Sequence, residues 1–176
     1  MERLLLLDAK DYNDDMDVWA RIAVRGIIFI GDKLLLLDDN KGEVSLPGGG
    51  QDEGESDADT LIREIKEETG YSVIPYTIHP FGCIEEIRRD FKSYHEGRIF
   101  HQISRLYFCE VSEECGETQL SEQEKRYGMQ TGLYTLDEAI EKNRAMLDRV
   151  GELAWNQREY KTLLLIKEHI ENGGVL

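Results

Sequence analysis

The segment Leu46–Tyr71, LPGGGQDEGESDADTLIREIKEETGY, limits what this chain can become more than any other stretch. A proline and three consecutive glycines argue against helix or ordinary strand over Ser45–Gly50. Immediately afterwards the apolar period turns helical. Ala58, Leu61, Ile62, Ile65 and Thr69 fall at i, i+3, i+4, i+7 and i+11, one face of a helix over Asp57–Thr69. Ser56 suits the N-cap, Asp59 lies near the positive end of the helix dipole, and Gly70 supplies the C-terminal stop. Whatever the rest of the chain does, it must accommodate a glycine loop feeding a capped amphipathic helix.

The flanking patterns read as strands. Leu4–Leu7 is a short apolar run followed by a polar loop over Lys10–Asp17. Ile22–Ile30 and Lys33–Leu37 read as strands joined by a two-residue turn at Gly31-Asp32. Strand-like stretches return at Ser72–Ile78, Gly82–Arg88 and Ile99–Val111, with Asp90–Gly97 as a loop. Thr135 and Glu138 form a capping box for a helix over Leu136–Met146, and a last helix covers about Glu152–Ile170 before Gly173-Gly174. This order predicts an α/β fold, a mixed sheet with helices on its faces. No repeat or linker divides the 176 residues, so a single domain over 1–176 is expected, with an N-terminal extension through about residue 17.

The helix carries more than packing. Glu64, Glu67 and Glu68 stand at i, i+3 and i+4, which gathers three carboxylates on the side away from the apolar stripe. Like charges at that spacing cost a helix roughly 0.2–0.5 kcal/mol per pair, a penalty that a divalent cation removes. Oxygen-only ligands suit Mg²⁺, Mn²⁺ or Ca²⁺ and not zinc. Gly48, Gly49 and Gly50 allow backbone N–H groups to approach a ligand, Arg63 can fork onto a neighbouring carboxylate, and Glu55 can reach back from before the helix. An acidic triplet on a solvated helix face is common in a chain with 36 acidic and 21 basic residues; the surrounding residues are what give this one a purpose.

With those residues in place, the segment resembles the signature box of the Nudix hydrolases. Gly49, Glu55, Arg63, Glu64, Ile65, Glu67, Glu68 and Gly70 each stand where that box requires them, and only Tyr71 departs, replacing an aliphatic. The resemblance covers Gly49 to Tyr71, and Leu133–Ala139 resembles the strand-to-helix segment near the end of such domains. It implies the Nudix α/β/α sandwich and a Mg²⁺-dependent pyrophosphohydrolase. The implied substrate is a nucleoside diphosphate linked to another group: a nucleoside triphosphate, an ADP-ribose-like compound or a dinucleoside polyphosphate. By matched position Glu67 and Glu68 are metal ligands, Glu64 is a further ligand or the general base, and Arg63 and Glu55 support them. Arg25, on an early strand, is a candidate phosphate contact, equally readable as a partly buried ion pair. A further base from outside the box is sought among Glu122, Glu124, Glu96 and His95. A non-catalytic nucleotide-binding domain of the same shape is the alternative, though such domains usually lose box residues that this chain keeps.

Composition narrows the partners. A net charge of −15 argues against a long nucleic-acid partner, because displacing counterions from a phosphate backbone takes Lys and Arg. No run approaches the ~20 apolar residues of a membrane span, and no leader pattern is legible, so a cytoplasmic protein is expected. Cys83, Cys109 and Cys115 match no zinc or disulfide framework. The N-terminal extension and the C-terminal helix offer surfaces for a homodimer.

Overall fold

A computed structural model describes residues 1–90, 97–150 and 154–174. The sheet grows around β2 (Val18–Ile27), whose neighbours are β9 (Ile99–Phe108) and β6 (Gly48–Gly50). With β8 (His79–Arg89) and β1 (Arg3–Asp8) they form a five-stranded sheet in the order β1-β8-β9-β2-β6. β1 runs parallel to β8 and β2 parallel to β9, while β8–β9 and β2–β6 are antiparallel. The sheet is therefore mixed, and the glycine strand β6 forms one edge.

A second group is antiparallel. β3 (Phe29–Ile30) and β4 (Lys33–Asp38) pair as Phe29 with Leu34 and Ile30 with Lys33, a hairpin about Gly31-Asp32. Gly31 takes a φ of 65°, as such a turn requires. β4 also pairs with β5 (Val44–Ser45) and β11 (Gln130–Tyr134). The short pair β7 (Tyr71–Val73) and β10 (Val111–Cys115) completes the strands.

Both sheet faces are covered. Successive residues of β4 point to opposite sides, so Leu35 joins Val24, Ile28, Leu61 and Ile65 beneath α1 (Asp57–Thr69). Leu34 and Leu36 join Ile27, Ile84, Leu106 and Phe108 on the other side. There they meet Ala139 of α3 (Leu136–Val150) and Leu163 and Ile166 of α4 (Ala154–Glu171). Each such buried aliphatic stabilises the layer by roughly 1.5–3 kcal/mol. One helix on one face and two on the other give the expected α/β/α arrangement. Asn143 of α3 donates to the Val44 carbonyl at 2.8 Å and accepts its N–H at 2.9 Å, substituting for a strand partner just ahead of the glycines.

Several expectations need correction. Gly48–Gly50 is a strand after all: pairing needs only backbone, and side chains would not fit. A Cβ on Gly48 would lie 2.1 Å from the Val24 carbonyl oxygen. The strand expected over Ser72–Ile78 stops at Val73, because Pro75 opens a 3₁₀ turn over Pro75–Thr77. The one expected over Ile99–Val111 divides after Phe108. A short helix, α2 (Glu122–Arg126), went unforeseen although Ser121 and Glu124 form its capping box. The helix expected to end at Met146 continues to Val150. The strand read at Leu4–Leu7 does form: it is β1, an outer member of the five-stranded sheet.

Candidate active site

The helix–loop junction is fixed at both ends. Ser56 and Asp59 close a reciprocal capping box at the N-terminus of α1, and Gly70 ends it with a φ of 77°. Asp57, in the first turn, accepts hydrogen bonds from Gln51 at 2.9 Å, Arg105 at 2.6 Å and Tyr107 at 2.5 Å. Burial works against its charge, but these donors outweigh it and hold its pKa below the ordinary value. The helix start is thus tied to the loop and to β9 together.

Arg63 organises the next layer. Its Nε and Nη2 grip the two oxygens of Glu55 at 2.7 and 2.8 Å, a bidentate fork. Its Nη1 donates to Glu64 at 2.7 Å and stands 3.6 Å from Glu67, while Nη2 also reaches the Gly50 carbonyl at 3.2 Å. The Arg63 bonds, reinforced by the Asp52 N–H, pull Glu55 down to about 2. One guanidinium therefore locks the loop carboxylate, the strand edge and the first helix carboxylate into one arrangement.

Glu68 departs from the expectation of a solvated acidic face. It is only 6% exposed, and its carboxylate accepts the Gly48 N–H at 2.6 Å. Burial pushes it up to about 8; the Arg25 charge and the Gly48 N–H oppose that, and Glu64 and Glu124 add to it. Burial also raises Glu64, despite its bond to Arg63. A Cβ on Gly49 would lie 2.4 Å from Glu64 Oε1, so only glycine lets that carboxylate lie against the strand. Glu67 is the open member, its side chain 41% exposed.

These are hard oxygen donors, and burial disfavours the charged form of Glu64 and Glu68, a penalty that Mg²⁺ or Mn²⁺ would relieve. Glu64, Glu67 and Glu68 each keep an oxygen outside the bonds just described. They do not form a closed cluster by themselves: among the described residues no three Asp, Glu, His or Cys side chains already stand together as a cation cage. They fit a site completed by substrate and water oxygens, as Mg²⁺ usually requires.

The other candidates are distributed differently. Arg25 is neither on a carboxylate nor open: its Nη1 donates to the carbonyls of Leu46, at 3.2 Å, and Gly48. Glu124 caps α2 by accepting the Ser121 N–H and acts electrostatically on Glu68, whereas Glu122 pairs with Lys125 on the exposed surface. His95 and Glu96 lie outside the described residues. The Gln119 N–H bonds the Glu67 carbonyl at 2.7 Å, which brings the segment before α2 to the end of α1. Trp19 packs on Phe100, Tyr107 is held by Asp57, and Phe108 is buried against His79, Phe81 and His169.

The NUDIX domain family model matches residues 19–153, which contain the whole of this constellation. The chain belongs to that family. A Bacillus subtilis (strain 168) protein named "Putative ADP-ribose pyrophosphatase YjhB" is 31% identical over 96 residues, 54% of this chain. That match spans only 43% of the relative's length. Among solved structures, a NUDIX hydrolase from Nitrosomonas europaea superposes with a TM-score of 0.54 at 21% identity, covering 82% of this chain and 90% of that one. A MutT NUDIX hydrolase from Burkholderia pseudomallei gives 0.51 at 21% identity, covering 68% and 85%. Both share the fold. No helix among the described residues is long and apolar enough to cross a membrane.

Proposed function

We propose that this Nudix protein is a Mg²⁺-dependent pyrophosphohydrolase acting on a nucleoside diphosphate linked to another moiety, with ADP-ribose-like compounds the leading class. The observation that carries the reading is the Arg63 assembly, in which one cation orders Glu55 and Glu64 and leaves helix carboxylates in excess over bonded cations. A binding domain without turnover has no use for so exacting a carboxylate arrangement. The sequence similarity to the Bacillus subtilis relative favours ADP-ribose-like substrates over triphosphates.

Glu67 and Glu68, with Glu64 beside them, would hold the cation. Bound Mg²⁺ screens the diphosphate charge, polarises a phosphoryl oxygen and lowers the pKa of water. Glu64, raised by burial and fixed by Arg63 through one oxygen, accepts a proton from the attacking water on the other. Glu55 holds Arg63 rigid, so the Glu64 carboxylate cannot swing away. Gly48 keeps Glu68 pointed at the edge strand. Such a protein, acting on small nucleotides and lacking affinity for long nucleic acid, belongs in the cytoplasm; a homodimer through β1 and α4 is compatible with this chemistry.

A phosphate-release screen over ADP-ribose, nucleotide sugars, nucleoside triphosphates and dinucleoside polyphosphates tests the reading, with and without Mg²⁺. We expect ADP-ribose turnover that requires Mg²⁺ and disappears in Glu67→Gln. Nucleotide binding with no product from any substrate would instead establish the non-catalytic alternative.

A further inference from the structure

Arg25 was the arginine whose position in the sequence suggested a phosphate contact, but its guanidinium is occupied by carbonyls. Four residues earlier on the same strand stands Arg21, and its situation is different. Partly buried, it has neither a hydrogen bond nor an ion pair among the described residues. The nearby carboxylates are already committed. Arg21 is in register with Gln102 of β9, which is in register with Glu86 of β8, so all three face the same side. Glu86, however, is closed by Arg88 at 2.8 Å and Arg158 at 2.6 Å. Glu64 is held by Arg63. Gln102 turns its amide to Ser104.

Where the unpaired guanidinium sits gives it a purpose. A Cβ on Gly50 would lie 2.8 Å from Arg21 Nη2, just as one on Gly49 would lie 2.4 Å from Glu64 Oε1. Adjacent strand residues turn to opposite faces, so Arg21 and Glu64 flank the same edge strand from its two sides, one residue apart. The two phosphorus atoms of a diphosphate are separated by one bridging oxygen. A diphosphate lying over this edge would present one phosphate to the carboxylate side and the other to the arginine side. We infer that Arg21 is a substrate-binding residue, the guanidinium that takes the second phosphate of the diphosphate across the Gly48–Gly50 edge. The inference rests on the proposed reading of the box as a diphosphate site. Burial, then the neighbouring charges of Arg25 and Arg158, disfavour the Arg21 cation in the free protein and outweigh the opposing pull of Glu64 and Glu86, so an anion bonded there removes a standing penalty.

The test compares full-length wild type, Arg21→Gln and Arg21→Lys by calorimetric titration with α,β-methylene-ADP, a hydrolysis-resistant nucleoside diphosphate, in Mg²⁺ buffer. Loss of a charge-assisted bond predicts affinity weakened roughly 10- to 100-fold in Arg21→Gln, with part regained in Arg21→Lys. Because Arg21 supports no neighbour, unliganded Arg21→Gln should melt at or above the wild-type temperature. Wild-type affinity in Arg21→Gln overturns the inference and leaves the hydrolase reading intact; so does a lowered melting temperature, which marks a structural role. A wild type that neither binds this probe nor hydrolyses any diphosphate overturns both.

Discussion

Two clusters of arginine and carboxylate lie on this fold, and they are built on opposite principles. Beneath α4, Arg158 bonds Glu86 at 2.6 Å and Glu159 at 2.9 Å, and Arg88 closes the other oxygen of Glu86 at 2.8 Å. Each of these carboxylates is bonded directly by an arginine, Arg88 also stands 3.9 Å from the buried Asp90, and Glu86 is 1% exposed. At the signature box the single guanidinium of Arg63 faces Glu55, Glu64 and Glu67, with Glu68 buried close by. The first cluster is closed and serves the core. The second is short of positive charge, a deficit that a divalent cation would fill. Ion pairs alone therefore do not tell the two clusters apart; the carboxylate oxygens left without a cation at the box do.

Breaking the closed cluster should have the largest effect on stability. Arg158→Met strands Glu159 in the interior and leaves Glu86 with Arg88 alone, and removing one partner of a buried pair typically costs about 3–5 kcal/mol. For a chain of this size that lowers Tm by about 10 °C in a thermal melt, while turnover at low temperature, per folded molecule, stays near wild type. The open cluster should behave in reverse. Glu55→Gln loosens Arg63 and, as for other groups that orient metal ligands, should lower kcat/KM roughly 10- to 100-fold with little change in Tm. Steady-state kinetics beside a melt distinguishes the two.

The smallest effect sharpens the boundary of the closed cluster. Glu43, between β4 and β5, is pushed up to about 7, first by burial and then by Glu159 and Asp39; Asn156 and Arg158 pull the other way. Its Oε1 is buried without a hydrogen bond. A carboxyl raised in the folded state contributes stability at low pH that is lost as pH rises from its unfolded value of 4.5 through about 7. Glu43→Gln should therefore match wild type at pH 5 and melt a few degrees higher at pH 8, about 2–4 °C per kcal/mol recovered. Equal melting at both pH values would mean that Glu43 is solvated.

Much of the open cluster was legible in the sequence because its parts are local. Glu55, Arg63, Glu64, Glu67 and Glu68 lie within one loop and one helix, and helical spacing alone brings them near one another. The closed cluster was invisible because its members come from β8 and α4, which are 72 residues apart at Glu86 and Arg158. Arg21 was missed for the same reason: only the folded edge of β2 and β6, where the Leu46 and Gly48 carbonyls occupy Arg25, separates the two arginines. The burial of Glu68 under Gly48 depends on the glycines forming an edge strand, which their composition argued against. The two-residue hairpin and the limits of α1, governed by local turn and cap chemistry, could be read directly.

If the charge imbalance at the box makes a divalent-cation site, direct metal titration will show it. Mn²⁺ binding, followed by the loss of the free-ion paramagnetic resonance signal, should be measured on wild type, Glu67→Gln and Glu43→Gln. We expect saturable binding in wild type, at least roughly 10-fold weaker binding in Glu67→Gln as expected for a lost charged ligand, and unchanged binding in Glu43→Gln. Equal affinity in all three proteins would contradict it, because the ion would then be responding to the acidity of the whole chain and not to the carboxylates gathered around Arg63.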